Sequence, residues 1–542
     1  MIAARETRDH FCEERLPPKS RWPALPLDGF TYPERLNAAV ELTTRQVEAG
    51  HGARIALVGQ GRRRTYQELD AWTDQLACAL VADYALAPGE RVLIRAPNTP
   101  AMVAVWLAVT KAGGVAVNTM PMLRAGELIK IVRKARPRLA LCDDRLLDEL
   151  TACARETGPG LEIIGFDGSP NQDGALDRAA LKHPPAFEPA NTRADEVALL
   201  GFTSGTTGEP KATAHFHRDL MIIADGYARE VLQVGQDDVF VGSPPLAFTF
   251  GLGGLAVFPL RFGARAVLLE DASPTHLIDI IERHRATVCF TAPTAYRVML
   301  KAMEGGADLS SLRCAVSAGE TLPAAIYEDW IEATGKPLLD GIGATELLHI
   351  FITNRLDDHR PGCTGKPVAG YEAKILAEDG SDAAPGQVGK LAVRGPTGCR
   401  YLQDERQDAY VQDGWNITGD AFMQDEDGYF HFAARQDDMI VSAGYNIAGP
   451  EVEAALLAHP DVAECAVVGA ADPDRGEIVE AHVVLRQGAV AGDLMTAGLQ
   501  GFVKLAIAPY KYPRRIVFVD ALPKTPTGKI QRFRLKPAPL QS

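Results

Sequence analysis

Long apolar runs are missing from this sequence. The two most apolar stretches, Ala101–Thr110 and Leu246–Leu260, are hemmed in by Lys111, Pro245 and Arg261. Both fall short of the roughly 20 residues that span a bilayer, so no membrane partner is expected. Met1 to Asp9 mixes charges of both signs without an apolar centre, which is not the pattern of a secretory leader. Positive charge is also in deficit. Against 70 acidic residues stand 56 Lys and Arg, a formal net charge of -14, and nucleic acid is set aside as a partner. Paired cysteines are lacking too: the nine are an odd number, scattered, with no C-x-x-C. That excludes a disulfide framework and a thiolate zinc site, and a reducing, cytoplasmic setting is expected. No repeat or low-complexity tract interrupts the chain.

What is present is an ordinary globular balance, 46% apolar and 23% charged, over 542 residues. A single core rarely extends over that length, so two domains or more are expected. Short apolar runs at Arg91–Ile94, Val197–Phe202, Asp238–Gly242, Ala266–Leu269, Thr287–Thr291, Arg313–Ser317 and Pro337–Leu339 read as buried strands. Helical patterns lie between them, among them Thr275–His284 (Ser273 as its cap) and Ala324–Ala333. Alternation of this kind implies an α/β fold with parallel or mixed sheets covered by helices. The rhythm changes at the charged break Arg435-Gln436-Asp437-Asp438. Beyond it the pattern runs strand, helix, strand, strand, helix, strand from Met439 to Val519. The expected organisation is a large domain over 1–434, a hinge at 435–438, and a small, mobile α+β domain over 439–542.

The sharpest local signal is Thr203-Ser204-Gly205-Thr206-Thr207-Gly208-Glu209-Pro210-Lys211, directly after a strand. Glycines permit tight turns that expose backbone N–H groups, hydroxyls add donors, and Lys211 adds a fixed positive charge, a set suited to phosphate oxygens. The Walker pattern does not fit. Such clusters are also ordinary loops, so the accompanying segments matter. Ser317-Ala318-Gly319-Glu320 and Gly341-Ile342-Gly343-Ala344-Thr345-Glu346 each follow a strand, the place where open α/β sheets bind ligands. Trp415-Asn416-Ile417-Thr418-Gly419-Asp420, Ser442-Ala443-Gly444-Tyr445-Asn446 and Pro523-Lys524-Thr525-Pro526-Thr527-Gly528-Lys529-Ile530 complete the series. From Lys504 onward the chain is basic, which suits a polyanionic ligand as well as a solvated tail.

Six segments in this order resemble the adenylate-forming superfamily of acyl-CoA synthetases, luciferases and peptide-synthetase adenylation domains, over essentially the whole chain. The resemblance implies ATP, Mg²⁺ and coenzyme A as ligands. It assigns the phosphates to Thr203, Ser204, Gly205, Thr206, Thr207, Gly208 and Lys211, and the adenine side to Ala318, Gly319, Glu320, Gly341, Ile342 and Gly343. Thr345 and Glu346 are implied to serve ATP, with Glu346 and Thr207 toward the metal. Asp420 is implied to take the ribose hydroxyls, with Arg435 beside the nucleotide. Lys529, with Glu346 and Thr203, is implied to carry catalysis: a lysine reaching both carboxylate and α-phosphate offsets their repulsion. Asp437 is the implied hinge, and Gly444 the implied neighbour of the coenzyme A thiol.

Pro244–Gly254 and Glu346–Phe351 look most like the benzoate-CoA ligase branch, and the full chain resembles 2-aminobenzoate-CoA ligases. A flat slot with Phe248 and Phe250 would suit a ring, and His349 would suit a carboxylate or an ortho substituent. The expected partner is therefore a small aromatic carboxylic acid, and the expected assembly includes a homodimer. Two positions depart from the pattern: Ile342 where many relatives carry an aromatic residue, and Asn446 where many carry Arg. Two rivals remain. One adenylates an aryl acid but delivers it to a separate carrier protein. The other is an NAD(P)-dependent oxidoreductase built on Gly251-Leu252-Gly253-Gly254-Leu255-Ala256, a dinucleotide pattern whose helix Pro259 would interrupt.

Overall fold

Four β-sheets of five to nine strands, with helices between and around them, form the computed structural model, which describes residues 2–167, 173–203, 209–320, 322–377, 379–435, 439–523, 530 and 532–535. The first sheet orders its six strands Lys211–Phe216, Val197–Thr203, Val115–Thr119, Arg91–Arg95, Leu139–Asp143 and Glu162–Phe166. All neighbours run parallel except the first pair. Arg91–Arg95 and Leu139–Asp143 are buried at every position, as strands covered on both faces must be. The apolar stretch near residue 105 is the core helix Pro100–Lys111, buried throughout. Its last residue, Lys111, is tolerated there because its ammonium meets Asp70 and Asp74, each at 2.7 Å.

The second sheet has nine strands. Its middle six are parallel, in the order Leu338–Gly343, Cys314–Ser317, Val288–Thr291, Val239–Gly242, Arg265–Val267, Ile55–Gly59. A third, antiparallel sheet carries Val388–Arg394, Trp415–Gln424 and Phe430–Arg435. From Met439 the strands join a separate sheet with the helices Gly449–Leu457 and Asp493–Ala506 over a core that includes Ile440, Val452, Leu456, Val467 and Leu499. No helix among the described residues is long and apolar enough to cross a membrane.

The α/β class and the small α+β domain agree with the sequence reading; several local expectations do not. The strand read as Ala266–Leu269 is Arg265–Val267, and Pro337–Leu339 runs on to Gly343. Ser273 precedes the helix Pro274–His284 without a side-chain cap; its amide is instead taken by Asp271 at 3.0 Å. The dinucleotide pattern fails for a steric reason. Its glycines are packing sites: a Cβ at Gly251 would lie 2.1 Å from the Pro245 carbonyl oxygen, and one at Gly254 2.8 Å from the Phe290 ring. Pro259 does not break the helical run, because Gly253–Val257 widens into a π turn and Pro259 falls in the first turn of Phe258–Arg261, where its missing N–H costs little.

Candidate active site

Strand ends of two sheets meet here. Thr203 closes Val197–Thr203 and Lys211 opens the returning strand, with the two residues opposite in register. Ser204, Gly205, Thr206, Thr207 and Gly208 lie outside the described residues. The glycine-rich segment thus connects two antiparallel strands, a pairing that periodicity alone does not reveal. In the second sheet Ser317 leads into Ala318, Gly319 and Glu320, with Gly319 at φ +88, a conformation that suits glycine. Gly341, Ile342 and Gly343 end the neighbouring strand, and Thr345 and Glu346 begin the 3₁₀ turn Thr345–Leu347. Gly201 is a point of contact between the sheets. A Cβ there would stand 2.7 Å from Thr345 Cγ2 and 3.5 Å from the buried His215 ring, so only glycine lets the turn rest on the strand.

Glu346 is buried, and its Oε1 accepts the Tyr401 hydroxyl at 2.5 Å. The Thr397 hydroxyl donates to the Leu347 carbonyl at 2.6 Å and holds the turn from below. The Lys211 ammonium sits 5.2 Å from the centre of the Tyr401 ring. Glu346, Lys211 and Tyr401 therefore form one group. Tyr401 escaped the sequence reading, since nothing in Cys399-Arg400-Tyr401 marks it locally. Asp340 escaped too, although an acid on an apolar strand just before Gly-x-Gly is a usable signal. It is buried with Oδ1 unpartnered among the described residues, and burial pushes its pKa well above the ordinary carboxylate range. A second carboxylate, Asp420, is buried in Trp415–Gln424, opposite Arg435 in register.

On the other side of the turn lies an aromatic cluster. His349 is fully buried, with ring centroids of Phe258, Tyr227, Phe250 and Phe290 at 4.6, 5.4, 5.6 and 6.4 Å. Burial lowers its pKa to about 3, so the ring is neutral. The Phe250 backbone faces the ring and opposes the effect of burial on it. The backbone is held tightly here: Leu348, a bulky buried residue, sits at φ +73, and a Cβ on Gly253 would lie 2.4 Å from the imidazole. The two phenylalanines have different ring neighbours. Phe250 packs on Phe290 and His349, whereas Phe248 faces Tyr445 of the small domain at 6.4 Å.

Tyr445 belongs to a hairpin, Met439–Ser442 paired with Tyr445–Ala448, whose two-residue turn places Ala443 and Gly444 at φ +48 and +81. That turn docks on the large domain. Gly444 atoms lie 3.6 Å from where a Cβ on Gly319 would stand, and a Cβ on Gly444 would lie 3.5 Å from Ala292 Cβ. Burial pushes the neighbouring Glu320 up to about 7, against the opposing pull of the Gly444 amide and Arg475. Further out, the buried Lys511 ammonium bridges Glu127 of the large domain at 2.5 Å and Glu451 of the small one at 2.9 Å, and Glu127 also accepts the Ala508 amide at 2.8 Å. Lys529 and Asp437 lie outside the described residues, as does the side chain of Arg435.

A family model described as AMP-binding enzyme matches residues 44–401, and one described as AMP-binding enzyme C-terminal domain matches 451–529. The chain belongs to this family of adenylate-forming enzymes. It is 36% identical over 515 residues to a benzoate–CoA ligase of Thauera aromatica, covering 94% of this chain and 97% of that one. Among solved structures, an anthranilate CoA ligase in complex with anthranoyl-AMP is 34% identical with a TM-score of 0.72, covering 93% of this chain and 97% of that one. An o-succinylbenzoate CoA synthetase of Bacillus subtilis, a double mutant bound with its product analogue, is 27% identical with a TM-score of 0.80, covering 92% and 98%. These similarities place the chain in the aryl-CoA ligase branch of the acyl-CoA synthetases, as an AMP-forming acid–thiol ligase.

Proposed function

We propose that this enzyme activates benzoate or 2-aminobenzoate with ATP as the aryl adenylate and then transfers the aryl group to coenzyme A. The observation that carries the reading is the contact at Gly201. It seats the Thr345–Glu346 turn on the phosphate hairpin, with the aromatic cluster around a neutral His349 immediately beyond. Nucleotide and aryl acid then meet across a single turn of chain.

In this reading the phosphates lie along Thr203 to Lys211, the base between Ala318–Glu320 and Gly341–Gly343, and the ribose on Asp420. Asp340 offers its unpartnered oxygen at the base end. Glu346 fits Mg²⁺: it is a hard oxygen donor, and this ion takes one or two carboxylates beside substrate phosphates. No group of three His, Cys, Asp or Glu placed to hold a metal ion by itself occurs among the described residues, nor does such a site need one. When bound, the ion screens and orients the phosphates. Lys529 brings its ammonium between the attacking carboxylate and the α-phosphate. The carboxylate oxygen bonds to that phosphorus, and pyrophosphate leaves. In the second step the thiol sulfur bonds to the acyl carbon, AMP leaves, and rotation about Asp437 exchanges Lys529 for the Gly444 turn. The docking of Gly444 beside Gly319 supports assigning the arrangement seen here to that second step. So does the higher TM-score with the synthetase holding a product analogue than with the ligase holding an adenylate.

The test is pyrophosphate release with ATP and Mg²⁺ across benzoate, 2-aminobenzoate, salicylate and a medium-chain fatty acid, with and without coenzyme A. Release driven by aryl acids and completed to aryl-CoA is expected. Release indifferent to coenzyme A would move the acceptor to a carrier protein, and preference for the fatty acid would overturn the aryl reading.

A further inference from the structure

The segment from Gly398 to Gln407 meets the site through Tyr401, and through Arg406, which donates to the Glu209 carbonyl at 3.1 Å, and it is held along its length. The Ala214 amide donates to the Arg400 carbonyl at 2.9 Å and the Leu402 amide to the Ala212 carbonyl at 2.8 Å, so residues 400–402 pair with the strand that Lys211 opens. The Tyr401 amide donates to Gln407 Oε1 at 2.9 Å, and Gln407 is fixed in turn by the Arg21 and Cys399 carbonyls. Tyr410 packs edge-on against the Tyr401 ring at 5.7 Å. The ring is fully buried and has no freedom to swing. Its one polar atom points at Glu346.

We propose that Tyr401 is a positioning residue for adenylate formation: its phenol fixes the Glu346 carboxylate, and its ring face fixes the Lys211 ammonium. This rests on the reaction proposed above. A glutamate has three rotatable side-chain bonds, and a single hydrogen bond from a rigid phenol to the charged carboxylate selects one arrangement. The same ring offers its electron-rich face to Lys211. The strand carrying Lys211 is paired with the backbone of Tyr401, so carboxylate, ammonium and phosphate hairpin share one reference frame.

Tyr401→Phe, Glu346→Gln and the double variant separate positioning from mere packing. Two readouts are needed: adenylate formation by ATP–pyrophosphate exchange, and thioester formation from supplied benzoyl-AMP. A third reads no chemistry, namely Mn²⁺ affinity by electron paramagnetic resonance with a non-hydrolysable ATP analogue. Tyr401→Phe is expected to slow exchange about 10- to 100-fold and weaken Mn²⁺ about tenfold, the range of a hydrogen bond to a charged group. Thioester formation should stay within about twofold, and the substitution should add nothing in the Glu346→Gln background. Unchanged exchange and Mn²⁺ affinity would overturn the proposal. So would equal losses in both half-reactions, or fully additive losses in the double variant. Should the wild type be inert with every acid, the proposed reaction fails, while the Mn²⁺ measurement still decides the role of Tyr401.

Discussion

Three imidazoles, His215, His217 and His349, are completely buried, and in each case burial is the main force lowering the pKa from 6.5 to about 3. Arg400 adds to the effect at His215 and Arg8 at His217. His217 shows why neutrality matters, since its Nδ1 accepts the Ala38 amide at 3.1 Å. A folded-state pKa below the unfolded one means that the stability these residues contribute is complete above pH 6.5. It drains away as the pH falls from there toward 3, because the unfolded chain binds the protons. Each contributes a slope of about 1.4 kcal/mol per pH unit within that window. Denaturant midpoints measured between pH 7.5 and 5.0 are expected to fall with pH. His217→Asn, which keeps an acceptor for Ala38 without a titrating ring, should flatten the slope while costing stability at pH 7.5. An unchanged slope would show that these rings do not govern the acid limb.

At the scale of elements, the site depends on a short irregular segment more than on any helix. Asn416, buried in Trp415–Gln424, accepts the Cys399 amide at 2.9 Å and donates to the Val393 carbonyl at 3.0 Å, which ties the third sheet to the segment carrying Tyr401. Asn416→Ala leaves a buried N–H and a buried carbonyl without these partners, and destabilisation of about 1–3 kcal/mol is expected by chemical unfolding. Because the Cys399 amide lies two residues from Tyr401, adenylate formation should fall further than thioester formation from supplied adenylate. Equal effects on the two steps would restrict Asn416 to the fold. Element boundaries were legible where apolar runs are bounded by turn residues, as at Arg91–Ile94, which the strand Arg91–Arg95 exceeds by one residue. They were less so at Lys211–Phe216, whose Ala and Thr content suits strand or loop and whose role is fixed by pairing with Val197–Thr203.

For the whole molecule the governing feature is how the small domain meets the large one. Lys511 has little exposure, and burial works against its charge. The facing Tyr510, Glu451 and Glu127 nevertheless raise its pKa above the ordinary lysine value, so it stays an ammonium. Lys511→Met would leave Glu127 and Glu451 opposed without a cation, a cost that moving the domains apart relieves. Thioester formation from supplied aryl-AMP is expected to slow about tenfold or more, with ATP–pyrophosphate exchange unaffected. Loss of exchange as well would mean that this ion group supports the fold and not the domain arrangement.

The sequence by itself determined the family, the α/β class and the reaction, because Gly, Ser, Thr and Lys crowd one short string and the remaining segments follow in fixed order. It also marked the change of rhythm after Arg435, where the periodicity of the elements alters. Tertiary structure alone decided which residues share a site. Gly201 and Thr345 are 144 positions apart and meet because two sheets converge, and Tyr401 reaches Glu346 from a segment with no pattern of its own. Phe248 and Phe250 are two residues apart, yet one faces the small domain and the other faces His349. Side-chain direction on a short helix follows from packing on both sides, and packing is a property of the folded chain, not of local composition.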